Sequence, residues 1–336
     1  MTLQNNSRVL VTGGTGFLGA ALVRALVTAG HRVRILDNNL RGKPRRLGEL
    51  LSEVELIEAD IRDSEAVANA CRDIDTVAHL AFINGTETFY SQPGLVMDVG
   101  VRGMLTVLDG CAKHSVASMM LMSSSEVYQR ADLVPTPEDV PLVIPDPRNP
   151  RYSYGGAKAI SELLALHGHG YRPAAVRIVR PHNVYGPDMG FKHVIPQLSM
   201  RISDLAETHE TGEIVPLPIR GDGRQTRAFV HVDDFTDGLL LVMQRGEDSG
   251  IYHIGTREEV TIADLAHRIA AGLDREVELI PSEMPVGETD RRCPDIGKLE
   301  SLGYQPTRTL SVGVTEVARW YRDNRHLHTQ NEGDLS

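Results

Sequence analysis

Cysteine is scarce: Cys71, Cys111 and Cys293 are scattered through 336 residues at spacings that fit neither a disulfide framework nor a zinc site. No metal site is therefore expected. No apolar run approaches membrane-spanning length, so no membrane partner is expected either. The N-terminal MTLQNNSRVLVTGG lacks the layout of a signal peptide, because its apolar run leads straight into a glycine turn. Positive charge is the minority sign, with 35 Lys and Arg against 45 Asp and Glu for a net charge of −10. That balance argues against sequence-independent nucleic-acid binding, which needs a basic footprint. Together these absences make a cytoplasmic location the expectation.

What remains is an ordinary globular balance, 41% hydrophobic and 24% charged, in a chain long enough for a large core and two lobes. Short β-like runs alternate with helical stretches through the first half. RVLVTG (8–13) reads as a buried strand and GFLGAALVRALVTAG (16–30) as a helix closed by Gly30. Further strands are expected over 31–37, 54–61, 75–82, 118–124 and 174–186, with helices over about 95–113 and from 153. GIYHIGT (250–256) reads as a late strand returning to the same sheet. This alternation implies an α/β fold: a Rossmann-like, doubly wound parallel sheet with ligands at the carboxyl ends of its strands. Beyond about 187 prolines loosen the pattern, and short helices from 257 to 325 suggest a smaller C-terminal α/β lobe.

The first strand–turn–helix holds Gly13, Gly16 and Gly19 in a G-x-x-G-x-x-G pattern that includes Phe17 and Leu18. Glycines there permit a tight turn and let backbone N–H groups and a helix N-terminus approach a pyrophosphate. Asp37 ends the second strand, where a carboxylate accepts hydrogen bonds from ribose hydroxyls and repels a 2′-phosphate, favouring NAD over NADP. Arg41, Lys43, Arg45 and Arg46 follow closely. They read as a solvated loop, with a swing toward a phosphate as the alternative. Asp60 and Ile61, after the third strand, are candidates to bracket the adenine.

Tyr154 and Lys158 stand four residues apart, which on a helix stacks them on one face. A free phenol, with a pKa of about 10, is a poor base at neutral pH. A neighbouring ammonium stabilises the phenolate and makes Tyr154 a usable acid and base. The pair follows a strand that ends in Ser123-Ser124-Ser125, where a hydroxyl can share the proton's path. Asn84 and Thr86, in a segment that follows a strand end, are candidate substrate contacts.

VTGGTGFLG, HLAF, SSSEVY, YSYGGAK, RPHNVYGP, GDGRQTRAFVHVDD, YHIGT and RRCPDIGK together resemble the extended short-chain dehydrogenase/reductases that modify nucleotide sugars, over nearly the whole chain. The resemblance implies a tightly held NAD, a nucleotide-sugar substrate oxidised at C4, and a homodimer through the helices near 95–113 and 153–168. It implies Ser124 as the catalytic hydroxyl, Tyr154 as the base and Lys158 as its partner, with Leu80 and Ala81 of HLAF beside the cofactor. Asn183, Arg227 and Arg292 are then placed at the nucleotide diphosphate or the sugar. The expected division is a cofactor lobe of residues 1–186 plus about 225–256, and a substrate lobe of about 187–224 plus 257–326. Residues 327–336 are expected to form a flexible tail. One departure is Gly100, where relatives usually carry asparagine. Another is His182, at a position that is usually apolar, which is read as packing.

Glu126 bears on the reaction. A 4-keto group acidifies the C5 proton, and a carboxylate beside the serine can remove it, which supports 4,6-dehydration or 5-epimerisation. The Ser-Glu pairing resembles GDP-mannose-type dehydratases and UDP-glucuronate decarboxylases, and in the second case Arg227 is expected to face a substrate carboxylate. If Glu126 instead points to solvent, simple 4-epimerisation becomes the reading. A non-catalytic dinucleotide-binding regulator is the rival of another class.

Overall fold

The computed structural model describes residues 3–129, 131–168, 171–210, 212–283 and 291–331. Its strands, in chain order, are β1 (Arg8–Thr12), β2 (Arg32–Asp37), β3 (Glu55–Glu58), β4 (Thr76–His79), β5 (Ser118–Met122), β6 (Ala175–Pro181), β7 (Val184–Tyr185), β8 (Ile214–Arg220), β9 (Thr226–Ala228), β10 (Val230–His231), β11 (Gly250–Ile254), β12 (Glu259–Thr261), β13 (Glu276–Ser282) and β14 (Arg291–Arg292). Among the described residues seven of them form one parallel sheet in the order β11-β6-β5-β4-β1-β2-β3. The strand order reverses between β1 and β4, which opens a crevice at their carboxyl ends.

Alternation along each strand sends side chains to opposite faces, and both faces are covered. Val9 and Val11 join Leu22, Val23 and Leu26 of helix Phe17–Thr28 and Phe235 and Leu239 of helix Val232–Arg245. Leu10, Met119 and Leu121 face the other way, onto Met104, Val107 and Leu108 of helix Gly103–Lys113 and Ala165 of helix Ser153–His167. Each fully buried leucine or valine contributes roughly 1.5–3 kcal/mol of transfer free energy. A third core joins helices Val194–Ala206, Ile262–Gly272 and Leu310–Asp323 to the parallel pair β8 and β13.

Three expectations differ in detail. The strand expected over 174–186 is broken: Pro181 lacks an N–H and Asn183 takes φ +41°, so β7 leaves the main sheet and pairs with β10. The helix expected near 95–113 starts at Pro93 and carries a π-helical segment, Asp98–Arg102, before it resumes to Lys113. The expected flexible tail begins instead as a short helix, His326–Asn331, anchored by buried Leu327 and by His328 edge-on to Phe191. Residues 332–336 lie outside the described residues.

Candidate active site

The crevice begins at the glycine turn. Gly13 has φ +74°, and a Cβ on it would stand 2.7 Å from the Ala81 nitrogen; a Cβ on Gly19 would stand 2.0 Å from the Gly13 carbonyl oxygen. Neither position tolerates a side chain, so the turn packs backbone on backbone. Helix Phe17–Thr28 then starts with Gly16 as its N-cap, with no capping side chain and no acidic residue in its first turn. Its N–H groups and dipole are thus left for an anion, the donor set that fits a dinucleotide pyrophosphate. Leu80 and Ala81 are tied to the turn by hydrogen bonds from their N–H groups to the Thr12 carbonyl (3.1 Å) and hydroxyl (3.2 Å).

Asp37 is buried at the end of β2, where its carboxylate accepts from the N–H of Thr15 (3.0 Å) and of Asn39 (2.9 Å). The basic loop that follows is not simply solvated. Arg45 and Arg46 both reach Asp188, at 2.8 and 3.0 Å, and Arg46 also donates to the Thr15 carbonyl. At the end of the third strand, Arg62 pairs with Asp60 at 2.8 Å and also bonds Asp98, while Ile61 is buried against Gly103. Asp60 thus lies beside the crevice within an ion-pair network.

Tyr154 and Lys158 occupy successive turns of helix Ser153–His167, and both are buried. That helix approaches the end of β5 through Gly155, where a Cβ would lie 2.6 Å from the Glu126 carbonyl oxygen. The approach brings Tyr154 beside Ser124, whose hydroxyl favours the phenolate. Ser124 in turn accepts from the Glu126 N–H at 3.1 Å. Burial pushes the Tyr154 phenol up to about 12, against the Ser124 hydrogen bond and the charge of Arg41. Burial likewise pushes the Lys158 ammonium down to about 7, with Glu162 opposing. The ammonium donates to the Met122 carbonyl at 2.6 Å. Tyr154 stacks on Phe89 at 4.8 Å.

Glu126 does not point to solvent: it accepts a hydrogen bond from Arg292, and Arg151 stands 3.9 Å away. Arg292 is paired in register with Arg227 across β14 and β9, so two guanidiniums enter the site from neighbouring strands. Burial works against ionisation of Glu126, yet Arg292, Arg151 and Arg227 outweigh it and hold the carboxyl below the usual range. Asn183 lies close by, its side-chain amide donating to the Ala228 carbonyl at 2.9 Å. Asn84 is exposed next to helix Thr86–Ser91, and the Thr86 side chain lies outside the described residues. His182 is buried, edge-on to His253 at 4.7 Å.

The structure adds groups that sequence reasoning did not select. Glu162, one turn beyond Lys158, forms a buried pair with Arg180 at 2.6 Å and accepts from Ser123. Arg180 also bonds Tyr128, whose hydroxyl meets His253 Nε2 at 2.6 Å. The spacing of Lys158 and Glu162 on one helix face was a usable signal; the partnership with Arg180 was not. Phe82 and Phe89 surround Tyr154, and Arg151 joins Glu126.

The model of the NAD dependent epimerase/dehydratase family matches residues 9–255. A dTDP-glucose 4,6-dehydratase from Streptomyces antibioticus is 31% identical over 329 residues, 94% of this chain and 93% of the relative. A UDP-N-acetyl-alpha-D-glucosaminuronate decarboxylase from Bacillus cytotoxicus is 30% identical over 330 residues, 94% of this chain and 98% of the relative. Among solved structures, a dTDP-glucose 4,6-dehydratase double mutant from Streptomyces venezuelae with NAD bound superposes with a TM-score of 0.82 at 30% identity, covering 96% of this chain and 99% of that one.

Proposed function

Because the chain belongs to the NAD-dependent epimerase/dehydratase family, we propose that it oxidises a nucleotide-activated uronic acid at C4 and releases its C6 carboxylate as carbon dioxide. NAD, held by Gly13, Gly16, Gly19 and the start of helix Phe17–Thr28, supplies the oxidant for the C4 hydroxyl. Asp37 is the candidate for its adenosine ribose. The chain's own residues handle the protons. Tyr154 takes the proton of the C4 hydroxyl, Ser124 shares that hydrogen bond, and Lys158 stabilises the phenolate.

The observation that carries the choice is the state of Glu126. A 4,6-dehydration needs a base for the C5 proton and an acid for the departing C6 hydroxyl. Glu126, held ionised by Arg292, is a weakened base, and its neighbour is Ser125, which offers no acid. Decarboxylation needs neither. In the 4-keto uronate the C5–C6 bond breaks, its electron pair passes to the C4 carbonyl oxygen as an enolate, and C5 takes a proton from solvent. The hydride removed from C4 then returns to it as Tyr154 gives back its proton, so that the net loss is carbon dioxide alone. What this reaction does need is positive charge for a carboxylate, and Arg292, Arg227 and Arg151 outnumber Glu126 by three to one. Similarity to a glucosaminuronate decarboxylase supports the same reading.

The test is mass spectrometry of products from UDP-, GDP-, CDP- and dTDP-linked hexoses and uronates incubated with the protein and NAD. Loss of one carbon dioxide from a uronate is the expected result. Loss of water would replace this reading by dehydration, and an isomer of unchanged mass by 4-epimerisation. No turnover with NAD bound would leave a dinucleotide-binding protein. The reading includes a cytoplasmic homodimer. Leu163, 57% exposed on helix Ser153–His167, supports an apolar contact between copies, and light scattering on the same preparation tests it.

A further inference from the structure

The turn that packs on helix Ser153–His167 at Ala157 and Ser161 is built around a residue with no side chain. Gly100 lies in the π-helical segment Asp98–Arg102. A Cβ there would stand 2.6 Å from Phe82 Cζ, 2.8 Å from Phe82 Cε2 and 2.9 Å from the Ala157 methyl. The space that a side chain at position 100 would need is filled by the phenyl ring. That ring meets both members of the proton-transfer pair. Lys158 Nζ lies 4.0 Å from its centroid, and the Tyr154 ring meets it edge-on at 5.1 Å and 87°.

We infer that Phe82, admitted by the bare backbone of Gly100, is a positioning residue for Lys158, its π face holding the ammonium beside Tyr154. The inference rests on the reading of Tyr154 and Lys158 as the groups that move the proton. A buried ammonium must find partners, and Lys158 has few. The Met122 carbonyl of β5 accepts one hydrogen bond. Glu162, one turn on in the same helix, supplies negative charge, and Tyr154 stands one turn before. From β4, His79 faces it too, but burial pushes that imidazole down to about 3, so it is neutral and adds no second positive charge. Phe82 adds a π contact at 4.0 Å. An aromatic face favours the charged over the neutral amine, so it keeps the lysine protonated where burial opposes this. The arrangement also explains how the chain dispenses with a polar side chain at position 100: the ring and a polar group cannot both occupy the space.

The experiment compares Phe82→Leu, Phe82→Tyr, Gly100→Asn and the double variant Phe82→Ala/Gly100→Asn in the NAD-loaded protein. Turnover and KM are followed across pH on whichever nucleotide sugar proves to be the substrate, with bound NAD and Tm as controls for folding. Leucine keeps the bulk and removes the π face. The expected result is a folded, NAD-retaining variant whose high-pH loss of kcat moves to lower pH by about one unit, with KM little changed. Phe82→Tyr keeps the face and should keep the wild-type limb. Gly100→Asn, which must displace the ring, should lose roughly tenfold or more in kcat, as expected for a misplaced catalytic group. Adding Phe82→Ala to it should restore most of that loss. An unmoved limb in a folded Phe82→Leu protein, or a Gly100→Asn protein with wild-type kcat, overturns the inference. Wild-type turnover by Tyr154→Phe would instead overturn the proton-transfer reading on which it rests.

Discussion

Replacing Glu162 by glutamine isolates the ion pair beneath the site. Both partners are 3% exposed, and Arg180 grips the carboxylate twice, at 2.6 Å from Nη2 and 2.9 Å from Nε. Ser123 donates to the same carboxylate, and Arg180 also reaches the Tyr128 hydroxyl and the Glu138 carbonyl. Removing one charge leaves the guanidinium buried without its counterion, which costs about 3–5 kcal/mol. In a chain of this size, at about 2 °C per kcal/mol, Tm should fall by roughly 6–10 °C. Differential scanning fluorimetry on the cofactor-free protein reads the effect directly, and urea unfolding gives it as a free energy. A second variant separates charge from volume. Glu162→Leu with Arg180→Met removes both ions, and an apolar replacement of a buried pair is often neutral. That double variant should recover most of the lost stability, yet remain a poorer catalyst at neutral pH because Lys158 has lost its nearest carboxylate. Glu162→Gln melting within about 2 °C of the wild type would refute the argument, since no such change is compatible with an orphaned buried guanidinium.

Two further outcomes follow from the same geometry. Burial lowers Lys158 to about 7, below its unfolded value, so between pH 7 and about 10 the unfolded chain binds more protons and stability rises with pH. Lys158→Met removes that slope: its urea midpoint should exceed the wild type most at pH 6.5, with the gap narrowing steadily toward pH 10, and parallel pH profiles would contradict the shift. Gly19→Ala forces a methyl to within 2.0 Å of the Gly13 carbonyl oxygen and opens the turn. The variant should emerge from purification with little bound NAD, measured by chromatography of the released nucleotide. Unchanged NAD content would show that the turn does not hold the cofactor.

Local patterns carried much of the fold. Alternating apolar runs and glycine turns announced the parallel sheet, because each strand's period and each turn's steric demand are written within a few residues. Tyr154 and Lys158 were legible for the same reason, being one helical turn apart. The pairing of Glu126 with Arg292 was not, since 166 residues separate them and only the register of β14 on β9 delivers the guanidinium. The docking of Arg45 and Arg46 on Asp188 spans more than 140 residues and was equally invisible, so the loop read as solvated. The break after Pro181 was available in principle: a proline followed by a left-handed Asn183 is a poor continuation of a strand, but an apolar run on both sides masked it. Phe82 illustrates a different limit. Its sequence neighbourhood gives its place after β4, whereas its role depends on what Gly100 leaves empty on another element.

The order of the sheet also bears on how the chain is made. β11, its last strand, covers the outer edge of β6 by pairing Gly250–Ile254 with Arg177–Pro181, after an excursion of 68 residues between Pro181 and Gly250. At about 5–20 residues per second on the ribosome, that edge stays without its partner for roughly 3–14 s. β6 is nearly all buried in the finished protein, so during this interval a row of unpaired N–H and C=O groups on an apolar strand is open to any other chain that can add to it. Nascent chains that stall within this window therefore present an adhesive edge that the completed protein hides.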